Sequence, residues 1–248
     1  MILEVKRLWF KKVTIFLEDN LPSQFELEKK YDSVTVISHK KLNLRGWKVR
    51  EKDTSLVDLT VPNEEIFKKF NDTTRNEINK TLRDDLYTVY FGKNSDELYS
   101  IYCNFEKAQS RVPVVKKEMD VFTSPHIAYK GDILYGLYVI ESFPYMRVRS
   151  IFSKRLMEND TEMVKRISNA GRRLFWEVFQ NAKKRGFLSV DLASVNMDNP
   201  GTRSIAKFKL SFGGSIQKEY TYSYRSVAFT LFESILVPIR YFFHRFKI

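Results

Sequence analysis

The chain has 248 residues, enough to bury a sizeable core without disulfide or metal staples. Lys and Arg outnumber Asp and Glu by 42 to 30, and the resulting +12 favours anionic partners such as nucleotides, pyrophosphates, RNA or acidic lipid without choosing among them. A single cysteine, Cys103, excludes a disulfide framework and a cysteine-built metal cluster, so a reducing cytoplasm fits.

The opening stretch MILEVKRLWFKKVTIFLEDN is broken by Lys and Glu and reads as neither signal peptide nor membrane span, so a cytoplasmic location is expected. The first 60 residues read as strands, at 8–17, 34–38, 47–50 and 55–60, separated by turn residues such as Asn20-Leu-Pro-Ser and Arg45-Gly46. After Pro62, Asn63-Glu-Glu opens a helix, and Thr74-x-x-Glu77 has capping-box spacing ahead of Ile78 and Leu82. Residues 86–91 read as a strand and 95–110 as a helix. An antiparallel block comes next at 126–129, 133–141 and 145–152, joined by turns at Lys130-Gly-Asp and Ser142-Phe-Pro. Asn159-x-x-Glu162 opens a long helical stretch that Gly186 stops. A buried strand at 187–192, a short helix at 201–211 and an alternating strand at 215–224 complete the pattern.

This order is a mixed-sheet α/β arrangement, unlike a doubly wound nucleotide fold, which alternates strand and helix throughout. Element order alone puts a boundary near residue 85, giving parts at 1–85, 86–225 and 226–248. The last part spaces Phe229, Phe232, Leu236, Ile239, Phe243 and Phe246 by three and four, with Arg240, His244, Arg245 and Lys247 toward its end. It reads as an amphipathic basic helix, kinked near Pro238, that lies either on its own domain or on an anionic membrane face.

The segment RISNAGRRLFWEVFQNAKKRGFLSVDLASVNMDNPGTRSIAKFKLSFGG, residues 166–214, carries the chemistry. Two readings of Asn169-Ala170-Gly171 stand. If a helix starts there, small residues let a phosphate approach its unpaired N–H groups, with Arg166, Arg172 and Arg173 adding charge-assisted bonds. If one long helix runs through, Gly171 instead allows close packing. Asp191 falls at the end of the central strand, where a carboxylate can accept a proton or bind a sugar hydroxyl, or be structural. His126 has no acidic partner nearby in sequence and reads as structural. Arg75 reads as a phosphate contact or a solvated helix face, while Tyr220, Tyr222 and Tyr224 read as a stacking platform or as sheet packing. No metal motif and no GxxxxGK loop is present, so no metal is expected.

The order Arg166-x-x-Asn169-x-Gly171, Ala182-x-x-x-Gly186-Phe187, a strand to Leu192, Asn196, and Phe208-x-x-x-Phe212-Gly213-Gly214 resembles the GNAT acyltransferases, with Asn169 where that family has Gly. Leu56-Val-Asp-Leu with Thr74-Arg75-Asn-Glu-Ile78, then Ile167 to Trp176, then Phe208-Lys209-x-x-Phe212-Gly-Gly, resemble the Fem-type branch, the peptidoglycan aminoacyltransferases and their smaller relatives encoded among polysaccharide enzymes. That resemblance implies a GNAT-like fold, with 1–85 a partial half, 86–225 the full acyltransferase domain and 226–248 the basic helix. It also implies an N-acyltransferase in which an amine of an amino sugar or envelope precursor attacks an acyl carbonyl directly. The implied donor is an acyl-coenzyme A such as acetyl-coenzyme A, with aminoacyl-tRNA as the alternative. The implied roles are Asp191, Lys209 and Asn196 in catalysis, residues 166 and 169–173 on the cofactor, and Arg75, Phe208, Tyr220 and Tyr222 on the substrate. The rival of another class is a non-enzymatic basic module that binds RNA or membrane.

Overall fold

The computed structural model describes residues 1–18 and 20–234. In chain order the strands and helices begin β1 (Ile2–Arg7), β2 (Phe10–Phe16), α1 (Gln24–Lys30), β3 (Ser33–Ser38) and β4 (Lys48–Asp58). Next come α2 (Asn63–Lys68), α3 (Asp72–Leu82), β5 (Tyr87–Tyr90), α4 (Asp96–Ala108), α5 (Lys116–Met119) and β6 (His126–Tyr129). The chain continues with β7 (Asp132–Ser142), β8 (Tyr145–Ser153), α6 (Thr161–Lys184), β9 (Ser189–Ser194), α7 (Pro200–Leu210) and β10 (Ser215–Arg225). Two compact units result, one built from residues 1–52 with the chain from 218 onward, the other from 53–217.

The division therefore falls at 52/53 and 217/218, away from the boundary expected near residue 85. The reason is packing: α3 lies against α6, Thr74 Oγ1 donates to Ser211 Oγ at 2.9 Å, and Phe70 meets Phe212 edge-on at 5.4 Å. These contacts tie residues 63–82 to α6 and the end of α7, in one core with Val57 and Leu59 at the end of β4.

In the first unit the strands run β1-β2-β3-β10, with β2 and β3 parallel and the other pairs antiparallel. Val13, Ile15, Leu27, Val36, Trp47 and Tyr222 form its core. Phe10 has the opposite parity to Val13 and so faces the other side of the sheet. There it meets Phe229 and Phe232, at 5.3 and 4.7 Å, from the helical residues 227–234. Two sequence expectations change here. Residues 8–17 are not one strand, because Leu8-Trp9 forms the turn of a β1–β2 hairpin. Residues 24–30 are helical, because Ser23 and Glu26 make a reciprocal capping box at the end of what reads as a turn.

In the second unit the order is β4-β9-β8-β7-β6-β5, with β8 and β9 parallel and the rest antiparallel. The 24-residue α6, capped by Asp160, lays Leu174, Phe175, Val178 and Phe179 into a core with Leu137, Val139, Val190 and Phe212. Gly186, at φ +85°, ends the excursion in the left-handed conformation that glycine adopts without cost. The two runs expected at 47–50 and 55–60 are one strand, β4, with a register shift between Thr54 and Leu56. α3 is capped by Asn71, not by Thr74. Among the described residues no helix is long and apolar enough to cross a membrane.

Candidate active site

The two parallel strands at the centre of the second unit separate. β8 and β9 pair at Tyr145↔Ser189, Met146↔Val190 and Arg147↔Asp191, and no further, although β8 runs on to Ser153 and β9 to Ser194. Past that point the edges that face each other share no ladder bonds, and a fork opens in the sheet. A register shift against β7 adds to it: Val139 pairs with Val148 and Tyr138 with Ser150, leaving Arg149 as the extra residue of a bulge. Bulges re-aim the backbone and recur beside active sites.

A buried charge pair closes the base of the fork. Asp191 is 0% exposed and accepts from the Arg147 guanidinium, from Thr54 Oγ1 and, at 2.7 Å, from the Ala193 amide. Ala193 has φ +61°, a conformation that costs an L-residue energy and that clusters at functional positions. Beside Thr54, Ser55 carries a buried hydroxyl with no hydrogen-bond partner among the described residues. Lys209 reaches in from α7; it is only 8% exposed and its Nζ donates to the Ser194 carbonyl at 2.9 Å, fixing the tip of β9. The Phe208-x-x-x-Phe212 spacing predicts Lys209 off the packed stripe as a surface-like charge; the structure buries it instead.

The phosphate cradle expected at a helix start does not form. Asn169, Ala170 and Gly171 lie buried in the middle of α6, eight to ten residues past Thr161, so their N–H groups belong to the helix ladder. A Cβ at Gly171 would lie 2.6 Å from the Tyr135 ring, which makes close packing the reason for that glycine. The three arginines do not converge on an anion site either. Arg166 donates to Tyr129 Oη at 3.0 Å, Arg172 pairs with Glu77 at 2.7 Å, and Arg173 pairs with Glu177 at 2.6 Å. The true start of α6 is acidic, with Glu158, the cap Asp160 and Glu162 around it.

The remaining candidates scatter. Asn196 is exposed, and its Oδ1 accepts from the Asp198 and Asn199 amides to shape the turn into α7. Arg75 caps the end of α2, donating to the Lys68 carbonyl at 2.8 Å and to that of Phe70 at 2.6 Å. Phe208 packs between Phe175 and Phe212, at 5.5 and 5.3 Å. Tyr222 is buried in the first unit, where its hydroxyl accepts from the Leu42 amide at 2.6 Å, and half-buried Tyr220 lies 6.4 Å from it, ring to ring. His126 stacks on Tyr90 at 5.1 Å. Gly213-Gly214 is required by contact: a Cβ there would lie 2.3 Å from the Lys69 carbonyl or 2.5 Å from Ser55 Oγ. Separately, a cavity of about 270 Å³ lies by the C-terminal half of α6, lined by Lys93, Val139, Met146, Val178, Asn181 and Arg185 among others.

Arg147 and Thr54 escaped the sequence reading. The available signal was a pair of opposite charges, Arg147 between Met146 and Val148 in one strand and Asp191 between Val190 and Leu192 in the other.

No family model matches the chain, and no curated protein matches its sequence. Solved structures do. FemX superposes with a TM-score of 0.60 at 9% identity, over 94% of this chain and 85% of its own. L-PGS from Bacillus licheniformis superposes at 0.55 and 14%, over 93% and 83%. The fold is of the Fem type, like that of FemX. The C-terminal domain of an Agrobacterium fabrum protein assigned as a lysylphosphatidylglycerol synthetase gives 0.50 at 15%, over 79% and 68%.

Proposed function

We propose that the chain is a transferase that moves an acyl group from an activated carbonyl to the amine of an amino sugar or related cell-envelope precursor, at the fork between β8 and β9. The observation that carries this reading is the fork itself, held open above a buried Arg147–Asp191 pair in a Fem-type fold. Strand edges without ladder partners offer fixed main-chain N–H groups to an acyl carbonyl, and such donors strengthen as the oxyanion develops. Holding amine and carbonyl together there supplies the rest through proximity. Asp191, already accepting from Arg147, Thr54 and Ala193, acts as a positioning residue, and the amine proton passes to water. Lys209 positions the end of β9 through the Ser194 carbonyl.

Of the two donors the sequence suggests, acyl-coenzyme A loses its main support with the cradle at 166–171. A capped helix start ringed by Glu158, Asp160 and Glu162 repels a pyrophosphate rather than holding one. An aminoacyl-tRNA needs no cradle at 166–171, and its phosphates are compatible with the net charge of +12. One structural neighbour is itself named for making an aminoacylated lipid. The reaction then belongs at the cytoplasmic face of the membrane, where envelope precursors are assembled. The contribution expected from Leu236 to Lys247 lies outside the described residues.

The test gives the purified chain labelled aminoacyl-tRNAs or acetyl-coenzyme A with a panel of amino-sugar acceptors. Transfer from aminoacyl-tRNA is expected. Transfer from acetyl-coenzyme A alone would restore the thioester donor, and no transfer from either would sink the transferase reading.

A further inference from the structure

The tip of the β1–β2 hairpin is built against the usual rules. The strands pair down to Arg7↔Phe10, leaving a two-residue turn, Leu8-Trp9, in which Leu8 takes φ +56°. Turns of this shape ordinarily place glycine or asparagine at such a position. Here a leucine bears the strain, and the two side chains it presents are 59% and 75% exposed. Nothing in the first unit's fold requires this, since that unit's core is formed by Val13, Ile15 and their neighbours.

Charge gathers around the same tip. Lys6, Arg7, Lys11 and Lys12 flank the turn, and no acidic residue occurs between Val5 and Leu17. Of the carboxylates nearby, Asp32 accepts from the Lys11 amide at 2.8 Å and Glu4 pairs with Lys30 at 3.2 Å. Lys6 and Lys11 are exposed, and Lys12 lies over the Phe229 ring at 5.2 Å. Beyond that ring the helical residues 227–234 expose Val227 and Leu231.

We propose that the Leu8-Trp9 hairpin tip is a membrane-docking element that inserts between the headgroups of an anionic phospholipid bilayer, with Lys6 and Lys11 on the lipid phosphates. An exposed indole beside an aliphatic side chain suits the headgroup boundary, where an amphipathic ring has one wet and one apolar side. The basic rim supplies the attraction and makes it specific for acidic lipid. A nucleic acid would use the cations but would leave Leu8 in water. The inference stands apart from the transferase reading, and would bring a transferase to lipid-linked acceptors.

Tryptophan fluorescence tests it, because Trp47 and Trp176 are both buried and Trp9 alone of the three is exposed. The full chain is mixed with vesicles of phosphatidylcholine alone or with phosphatidylglycerol, and followed by co-sedimentation and by quenching with iodide. Expected are binding to the anionic vesicles only, a blue shift, and protection from quenching, all lost in Trp9→Ser with an unchanged melting curve. Lys6→Gln and Lys11→Gln should each weaken binding by about fivefold. A Trp9 that stays quenchable on bound vesicles, or a Trp9→Ser variant that sediments as before, would overturn the proposal. So would a loss of RNA binding in Trp9→Ser with vesicle binding intact.

Discussion

At Gly171 and Lys209 the side chain's surroundings reverse what the sequence suggests. Gly171 reads as room for a phosphate, yet the space beside it is filled by the Tyr135 ring. Gly171→Ala is therefore expected to cost about 1–3 kcal/mol by overpacking, seen as a lower urea midpoint. Combining it with Tyr135→Leu should cost less than the two singles summed, since the residues share one contact. Additive costs would show that the clash is relieved elsewhere. Lys209 reads as an exposed charge, yet its ammonium is buried on the Ser194 carbonyl. Lys209→Met leaves that acceptor without its partner, so a loss of about 1–3 kcal/mol is expected in the same measurement. A change within the scatter of surface substitutions would mean that water replaces the amine.

At the level of elements, the fork depends on the last rung between β8 and β9. Removing one member of a buried charge pair strands the other, so Asp191→Asn is expected to cost about 3–5 kcal/mol. Arg147→Met with Asp191→Leu should recover much of that in a denaturant titration, while the fork's activity is not restored. At the other end of α6, Arg185 donates to Glu141 at 2.8 Å and holds that carboxyl below its ordinary value of 4.5, with Thr123 assisting. A depressed carboxyl stabilises the fold fully above its unfolded pKa and loses that contribution as pH falls through the folded value. Melting curves of wild type and Glu141→Gln should differ at neutral pH and converge in acid. Most elements were legible because their signals are local: apolar runs bounded by the turns at Lys130-Gly-Asp and Ser142-Phe-Pro give β6 to β8, and spacing by three and four gives α6. α1 was hidden because its capping box comes just after Pro22 and looks like a turn. The site was less legible, because a fork is an absence of pairing between strands separated by the whole of α6. No short motif encodes that, and the Arg166–Gly171 pattern drew attention to the middle of a helix whose true start carries acids.

For the whole molecule, chain ends decide the outcome, because the first unit is made from both. Residues 1–52 supply β1, β2, α1 and β3, and the chain returns from 218 to complete the sheet with β10. Ser226 then starts the helical residues 227–234, accepting from the Phe229 amide, and buried Phe229 seals the Phe10 face of the sheet. Removing residues 226–248 therefore does more than detach a membrane anchor: it strips a core ring and uncovers Phe10. Truncation at 225 is expected to cost about 3–5 kcal/mol, the range for losing a buried phenylalanine, and to yield a chain that melts early or aggregates. Phe229→Ala should reproduce most of that loss with the rest of the tail in place. Calorimetry on the two variants, run beside the vesicle assay, separates packing from docking. If both melt like wild type while the truncated chain leaves the vesicles, the tail is an anchor and not part of the core. If both melt early and Phe229→Ala still sediments with vesicles, the ring belongs to the fold and the bilayer is met elsewhere, at the hairpin tip.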